Sequence, residues 1–490
     1  MSKINGLNMA SKLLIIHGYS DGATSFTALR DFFIESGAYL RENVFLLNYD
    51  SLDDASTFED FADKLDEDYQ KLFGTERIDV ACHSTGSLVS RAWLRLRYQR
   101  QVASGVKAPV SPVEHLLMFA PANFGSDLAR LGQSFLGKFR STIFNSNHQG
   151  EDFMESGRVV LQGLEPASPF QWALSADDLH GGGFFNVALG AGKVCYPFVF
   201  AAGKGFGGLQ GRLIPARSKP GTDGTVRVCG TSLNTRKCVV DFAQPVVRPT
   251  WAEERKFPVI PFVIFGEYTH GSIVGVEKSF SSGANSAGNL ALAAIQVKTP
   301  EEYSALAARF DAALRQQYSG DDYQQFFFKV IDDVGFAIAD YFLDFYVMLP
   351  SGQVDQKLTS EFDKEFESEF TRHSADTSCR VLLLNVTNLK KYLQKLRQAR
   401  ARLVFDISAK SPAAQVRYLP GYAVVFDGAS PALAGEPTFL YPNTTTLVEI
   451  VLNRVESDKV LHLLQYDLTK AALPAPQPST SATGRATLLK

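Results

Sequence analysis

A serine hydroxyl is a weak nucleophile until a base takes its proton, and the base works only when its imidazole is held in one tautomer. Ser84 lies in Cys82-His83-Ser84-Thr85-Gly86, between an apolar run at 78–81 and a helical stripe of Leu88, Ala92 and Leu96. A serine among small residues at a strand-to-helix turn makes a nucleophile elbow, which pushes the hydroxyl out at the strand's end. The helix that follows directs its positive end at developing negative charge. A plain small-residue turn has the same composition, so the strand–turn–helix setting carries this reading more than the motif does.

A base and an orienting carboxylate should follow the serine, at the ends of later strands. Asp223 sits in PGTDGTVRV, a glycine-flanked loop after the apolar run at 194–201. His270 sits in FGEYTHGS, directly after the run at 259–265. A lone Asp-Gly is usually a turn and a lone histidine usually packing; the ordered pair after Ser84 points to a triad. Asp177 and Asp178 are the alternative acids, in a less regular segment. His17-Gly18-Tyr19 ends the first apolar run; were it placed as hydrolases of the elbow type place one oxyanion donor, the backbone N–H groups of Tyr19 and Thr85 would together hold the oxyanion. The His17 imidazole itself reads as strand-end packing.

The elements that must position these groups form an α/β pattern. Apolar runs at 12–17, 44–48, 78–81 and 115–120 alternate with helical patterns, as a parallel sheet covered on both faces requires. Thr57 and Asp60 open one helix as a capping box, and Phe58, Phe61, Leu65, Tyr69 and Leu72 give it an apolar face. Arg91, Arg95, Arg97 and Arg100 on the helix after Ser84 read as a solvated face. From about 125 to 193 the strand rhythm stops, as in a cap inserted above a sheet, with Ser126 capping a helix through Leu128, Leu131, Phe135 and Phe139. A single helix is expected across 290–314. Beyond 319 come β-type runs at 326–331, 341–348, 380–386, 403–407, 422–426, 445–455 and 460–466, suggesting a β-sandwich-like second domain. The expected division is a catalytic domain at 1–318, a β-rich domain at 319–470 and a disordered tail at 471–490.

Composition narrows the function classes. The 490 residues carry a net charge of -3, so no basic surplus awaits nucleic-acid phosphates. The five cysteines are an odd, sparse set that reads as free buried thiols, although Cys229 and Cys238 flank a turn and could pair. None has zinc-ligand spacing, and no metal or cofactor is expected. Gly203, Gly205 and Gly208 spell G-x-G-x-x-G, but no helical pattern follows, so this is not a dinucleotide loop. The start lacks a secretory pattern, and the apolar stretch at 326–349 is interrupted by Lys329, Asp332, Asp333, Asp340 and Asp344. A cytoplasmic protein is the default expectation, with non-classical export left open.

Taken together, HGYSDGATSF, CHSTGSLVSRAW, APANFGSDLA, PGTDGTVRV and YTHGS resemble the α/β-hydrolase lipases over residues 12–275, nearest to bacterial lipases and GPI-inositol-deacylase-like acyl hydrolases. The resemblance implies an α/β-hydrolase domain and a Ser84–His270–Asp223 acyl-transfer mechanism. It also implies a lipid or other acyl-ester substrate, and leaves room for contact with a membrane surface. Two positions depart from the family pattern: Cys82 stands where glycine or alanine is usual, and Asn123-Phe124 where a histidine loop is frequent. A thioesterase or amidase on the same triad, a silent hydrolase-fold interaction protein and a secreted toxin-like phospholipase remain as alternatives.

Overall fold

The structure, a computed structural model, describes residues 11–18, 26–47, 55–131, 158–189, 193–206, 219–244, 247, 249–252, 259–366, 370–411, 415–430 and 439–456. Tyr19, much of the 125–193 insertion, the run at 460–466 and the tail from 471 lie outside them.

Six short apolar strands build the first sheet: β1 (Leu13–Ile16), β2 (Val44–Leu47), β3 (Ile78–His83), β4 (Val113–Phe119), β5 (Tyr196–Ala202) and, later in the chain, β8 (Phe262–Phe265). They lie side by side in the order β2-β1-β3-β4-β5-β8, every neighbouring pair parallel. Side chains on both faces of β1, β3 and β5 are buried, which is why these strands read as unbroken apolar runs rather than alternating ones. The strand order reverses between β1 and β3. Open α/β sheets leave a crevice at such a switch point, outside the carboxyl ends of the strands.

Helices α1 (Thr27–Glu35), α2 (Phe58–Leu72) and α3 (Gly86–Ala103) connect these strands. Thr57 and Asp60 cap α2 reciprocally, with bonds of 3.1 and 2.8 Å. The arginine face expected on α3 is largely not solvated. Arg91 is completely buried, and Arg95 and Arg97 are half-buried. Two neighbours supply the reason: α2 packs on α3 and brings Asp66 to Arg97 and Glu59 to Arg95, and of the cap helices α4 (Arg158–Leu164) and α5 (Pro169–Asp178), α5 packs on α3 over Arg91. Of the helix expected from Leu128, the described part is a 3-10 turn over Asp127–Leu131, with the Ser126 hydroxyl accepting from the Leu128 N–H.

The single helix expected at 290–314 is two, α6 (Ala287–Ala294) and α7 (Pro300–Gln317). Pro300 has no N–H to continue the first ladder, whereas Thr299 and Glu302 form a capping box that starts the second.

The chain's remaining strands form other sheets. A six-stranded mixed sheet runs β11 (Phe370–Arg372), β12 (Cys379–Asn385), β9 (Tyr323–Asp332), β16 (Thr444–Leu452), β6 (Arg236–Asp241) and β7 (Thr250–Trp251). Here β6, which precedes β8 in sequence, pairs with β16 from beyond residue 319, and β7 joins the sheet through β6. A three-stranded antiparallel sheet of β10 (Tyr341–Met348), β13 (Arg402–Ala409) and β15 (Gly421–Asp427) faces it. A short ladder joins β14 (Val416–Tyr418) to β17 (Arg454–Glu456). Helices α8 (Gln356–Phe366) and α9 (Val386–Gln398), absent from the sequence reading, bury Phe362, Phe366, Leu389 and Leu393 in the same second core.

Strand alternation makes the mixed sheet two-sided. Phe327, Val381 and Leu447 enter the first core, whereas Phe328, Leu382 and Val448 enter the second. All five cysteines are free and buried. Among the described residues no helix is long and apolar enough to cross a membrane; the stretch at 326–349 supplies strands β9 and β10.

Candidate active site

The elbow is strained at its tip. Ser84 has φ +53°, a left-handed conformation that a side chain tolerates poorly. Neighbouring contacts hold it there. The Ser84 N–H donates to Phe119 O (3.2 Å), while its carbonyl accepts from Ala122 N (3.1 Å) and from the Ser87 hydroxyl (2.7 Å). Gly86 is required by space: a Cβ there would lie 2.6 Å from His17 O and 2.7 Å from Ile16 O. The first turn of α3 therefore sits directly against the end of β1, and the serine emerges at the switch point.

The three side chains singled out from sequence meet at this point. The Ser84 Oγ hydroxyl donates to His270 Nε2 at 2.9 Å, and His270 Nδ1–H donates to Asp223 Oδ2 at 2.8 Å. The other carboxylate oxygen, Asp223 Oδ1, accepts from the Thr225 and Val226 N–H groups at 2.9 and 2.8 Å. Asp223 is fully buried, so its carboxylate is fixed in orientation and dedicated to one imidazole. The main chains are tied as well, His270 N–H donating to Asp223 O at 3.1 Å. Ser84 keeps a sliver of exposure, 8%.

The Thr85 N–H, at the amino end of α3, has no acceptor among the described residues. Tyr19, its expected companion, lies outside the described residues. His17 is buried, with Nδ1 2.7 Å from Gly18 O, and burial lowers its pKa. The imidazole is thus engaged with its own strand end, as a packing role requires.

The alternative acids serve elsewhere. Asp178 takes both Nε and Nη2 of Arg91 at 2.9 and 3.0 Å. Burial pushes its carboxyl pKa up against the pull of that guanidinium. Asp177 faces Arg95 and Gln99. Asn123, at the departure from the family pattern, is buried, donating to Thr231 O (2.7 Å) and offering its carbonyl to Arg91 (3.2 Å). It is structural rather than open to a ligand.

One residue of the site was passed over in the sequence. His83 Nε2–H donates to the backbone carbonyl of His270 at 2.9 Å, and the two rings lie 4.7 Å apart. Burial, reinforced by the nearby His270, lowers the His83 pKa to about 3. It is a neutral donor that holds the His270 loop. Cys82, also buried at the elbow, has its thiol pushed up to about 12 and is inert as a nucleophile. Among the described residues no three His, Cys, Asp or Glu side chains cluster as a metal site. Gly203 and Gly205 follow β5 without a helix through residue 206, and Gly208 lies outside the described residues.

No family model matches the chain, and no curated protein matches its sequence. Solved structures do match. Phospholipase PlaB from Legionella pneumophila superposes with a TM-score of 0.75 at 23% identity, over 95% of this chain and 98% of that one. The same phospholipase in complex with thio-NAD gives a TM-score of 0.74 over the same shares. The likeness is one of fold. It establishes an α/β-hydrolase sheet joined to the additional C-terminal sheets, in the arrangement that PlaB also has.

Proposed function

We propose that the protein is a serine hydrolase of carboxylic esters, acting on acyl lipids or phospholipids through an acyl-enzyme on Ser84. The observation that carries this reading is the unbroken hydrogen-bond series from Asp223 through His270 to the Ser84 hydroxyl. A series of this order suits acyl transfer: Asp223 fixes the tautomer that leaves Nε2 free to take the serine proton. Ser84 Oγ attacks the ester carbonyl, His270 receives the proton, and the oxyanion is held by Thr85 N–H together with Tyr19 N–H. Collapse expels the alcohol, which takes the proton from His270 Nε2. Water then gives its proton to His270, attacks the acyl-serine and releases the carboxylic acid.

The lipid substrate is supported by the phospholipase activity named for the structurally similar PlaB and by the presence of cap helices α4 and α5, of which α5 packs on α3. Substrate of that kind is taken up at a membrane surface. Five buried free thiols suit a reducing compartment, in line with a cytoplasmic protein.

Labelling with a serine-reactive fluorophosphonate tests the proposal. Wild type should label and turn over p-nitrophenyl and phospholipid esters; Ser84→Ala should do neither. Asp223→Asn should lower kcat by about 10⁴, as a wrong imidazole tautomer does. Labelling that persists in Ser84→Ala would refute the assignment, and turnover confined to thioesters or amides would refute the substrate class.

A further inference from the structure

The acid loop is fastened from outside the hydrolase sheet. Thr222 and Arg227 face each other as an antiparallel bridge and close the loop that presents Asp223. The Ser126 hydroxyl holds the tip, donating to Thr225 O at 2.6 Å, and the Thr225 N–H in turn donates to Asp223 Oδ1. At the base, Arg227 is buried and its guanidinium meets Asp127, the residue after Ser126, at two points: Nε to Oδ2 at 2.9 Å and Nη2 to Oδ1 at 2.8 Å. A planar fork of this kind fixes orientation as well as distance. One turn, at Ser126 and Asp127, thus ties the loop at both tip and base.

The mixed sheet completes the hold. By alternation Tyr323, Gln325 and Phe327 share one face of β9, and Phe327 marks it as the face turned to the first core. Arg227 Nη1 donates to Gln325 Oε1 at 3.4 Å. Thr445, opposite Gln325 in the pairing of β9 with β16, donates its hydroxyl to Cys229 O at 3.3 Å. On the other side of the loop the Tyr323 ring covers Gly221, where a Cβ would lie 2.6 Å from it. Gln325 is completely buried, and its Nε2 has no partner among the described residues. Burying an amide costs free energy that an apolar side chain avoids. Packing alone therefore does not account for a glutamine here; the contact with Arg227 does.

We infer that Arg227 is a positioning residue for catalysis: through it Asp127 and the mixed sheet set the Asp223 carboxylate against His270. This role rests on the reading of Ser84, His270 and Asp223 as a triad, and extends the machinery of the site to a strand beyond residue 319. A carboxylate displaced by about 1 Å would misplace the imidazole that it holds, at a loss of up to about 100-fold in rate.

The full-length protein and its variants are titrated to completion with a fluorophosphonate to count reactive serines, and kcat and KM for p-nitrophenyl butyrate are measured per reactive site. Arg227→Met should lower kcat per site about 10- to 100-fold with KM unchanged. Arg227→Lys, which keeps the charge without the fork, should recover part of the loss, and Gln325→Leu should lower kcat by a smaller factor. Because Arg227 acts through Asp223, adding Arg227→Met to Asp223→Asn should cost almost nothing more. A variant that merely folds poorly would lose reactive sites and keep the rate of each. Unchanged kcat per site in Arg227→Met would overturn the inference, as would an undiminished effect of Arg227→Met on the Asp223→Asn background. If Arg227→Met does not fold, unchanged rates in both Arg227→Lys and Gln325→Leu overturn it equally. Each of these failures, in a wild type whose serine reacts, leaves the triad standing; a wild type with no reactive serine overturns the triad itself.

Discussion

Two imidazoles stand ring to ring behind the serine, and their environments assign them different work. His270 has a carboxylate at Nδ1 and the Ser84 hydroxyl at Nε2, whereas His83 has a carbonyl at Nε2 and no partner for its buried Nδ1 among the described residues. His83 acts on the His270 loop from behind, so His83→Phe should lower kcat about 10- to 100-fold, as misplaced groups do, with little change in KM. His83→Gln, which retains a donor, should recover part of the loss. A pH signature separates this residue from general packing. Its folded pKa of about 3 lies below the ordinary 6.5, so the unfolded chain takes up a proton that the folded chain refuses. This contribution favours the fold fully above pH 6.5 and is lost progressively as pH falls towards 3. Urea unfolding at pH 8 and pH 5 should therefore show wild type losing about 2 kcal/mol more than His83→Phe over that interval. Equal losses would show that His83 is not buried neutral. Ser84, Asp223 and His270 were legible in the sequence because each follows an apolar run, and a loop after a strand is placed by that strand. The His83 contact was not legible: its acceptor is a backbone carbonyl 187 residues away, which leaves no mark on composition or spacing.

Helix α3 shows what periodicity can and cannot reveal about an element. The stripe of Leu88 and Ala92 correctly marks a face on the sheet, yet the opposite face is no solvent face, because α5 lies across it. Arg91 is buried there with Asp178, Ser175 and Asn123 around its guanidinium. A buried pair draws its strength from completeness, and removing one partner strands the other charge. Arg91→Leu should destabilise the protein by about 3–5 kcal/mol, while Arg91→Leu with Asp178→Leu should regain most of it. Thermal unfolding of both variants decides the matter, and a double variant as unstable as the single one would point to lost shape rather than stranded charge. In the C-terminal half the strands were readable from aromatic and β-branched runs, whereas α8 and α9 were hidden among them. Their apolar positions, Leu358, Phe362 and Phe366, then Val386, Leu389, Leu393 and Leu396, do recur at helical spacing. Short amphipathic helices next to strands need a period test of their own.

For the whole molecule the decisive feature is the mixed sheet, which belongs to both cores at once. Its strand β6 arises between the acid loop and β8 yet pairs with β16, about 200 residues later in the chain. Pairing over such a separation is invisible to a reading of local pattern, which places a boundary near residue 319. The consequences of cutting there can be argued from contacts. A fragment of residues 1–318 would lose Phe327, Val381 and Leu447 from the first core, including the Phe327 ring against Trp172 at 5.1 Å. It would leave β6 with its β16 edge unpaired, and exposed strand edges recruit other chains. It would also leave the buried Glu165 without the N–H and hydroxyl of Ser374, bonded at 3.0 and 2.7 Å. The loss of these buried side chains, at about 2–5 kcal/mol each, is comparable to the roughly 5–15 kcal/mol that holds a typical domain folded. Residues 1–318 expressed alone should therefore aggregate, and co-expression with 319–490 should return a soluble complex that reacts with fluorophosphonate. Size-exclusion chromatography with labelling reads both outcomes. A monomeric 1–318 fragment that labels at the wild-type rate would mean that the hydrolase sheet positions Ser84, His270 and Asp223 without help from the second half of the chain.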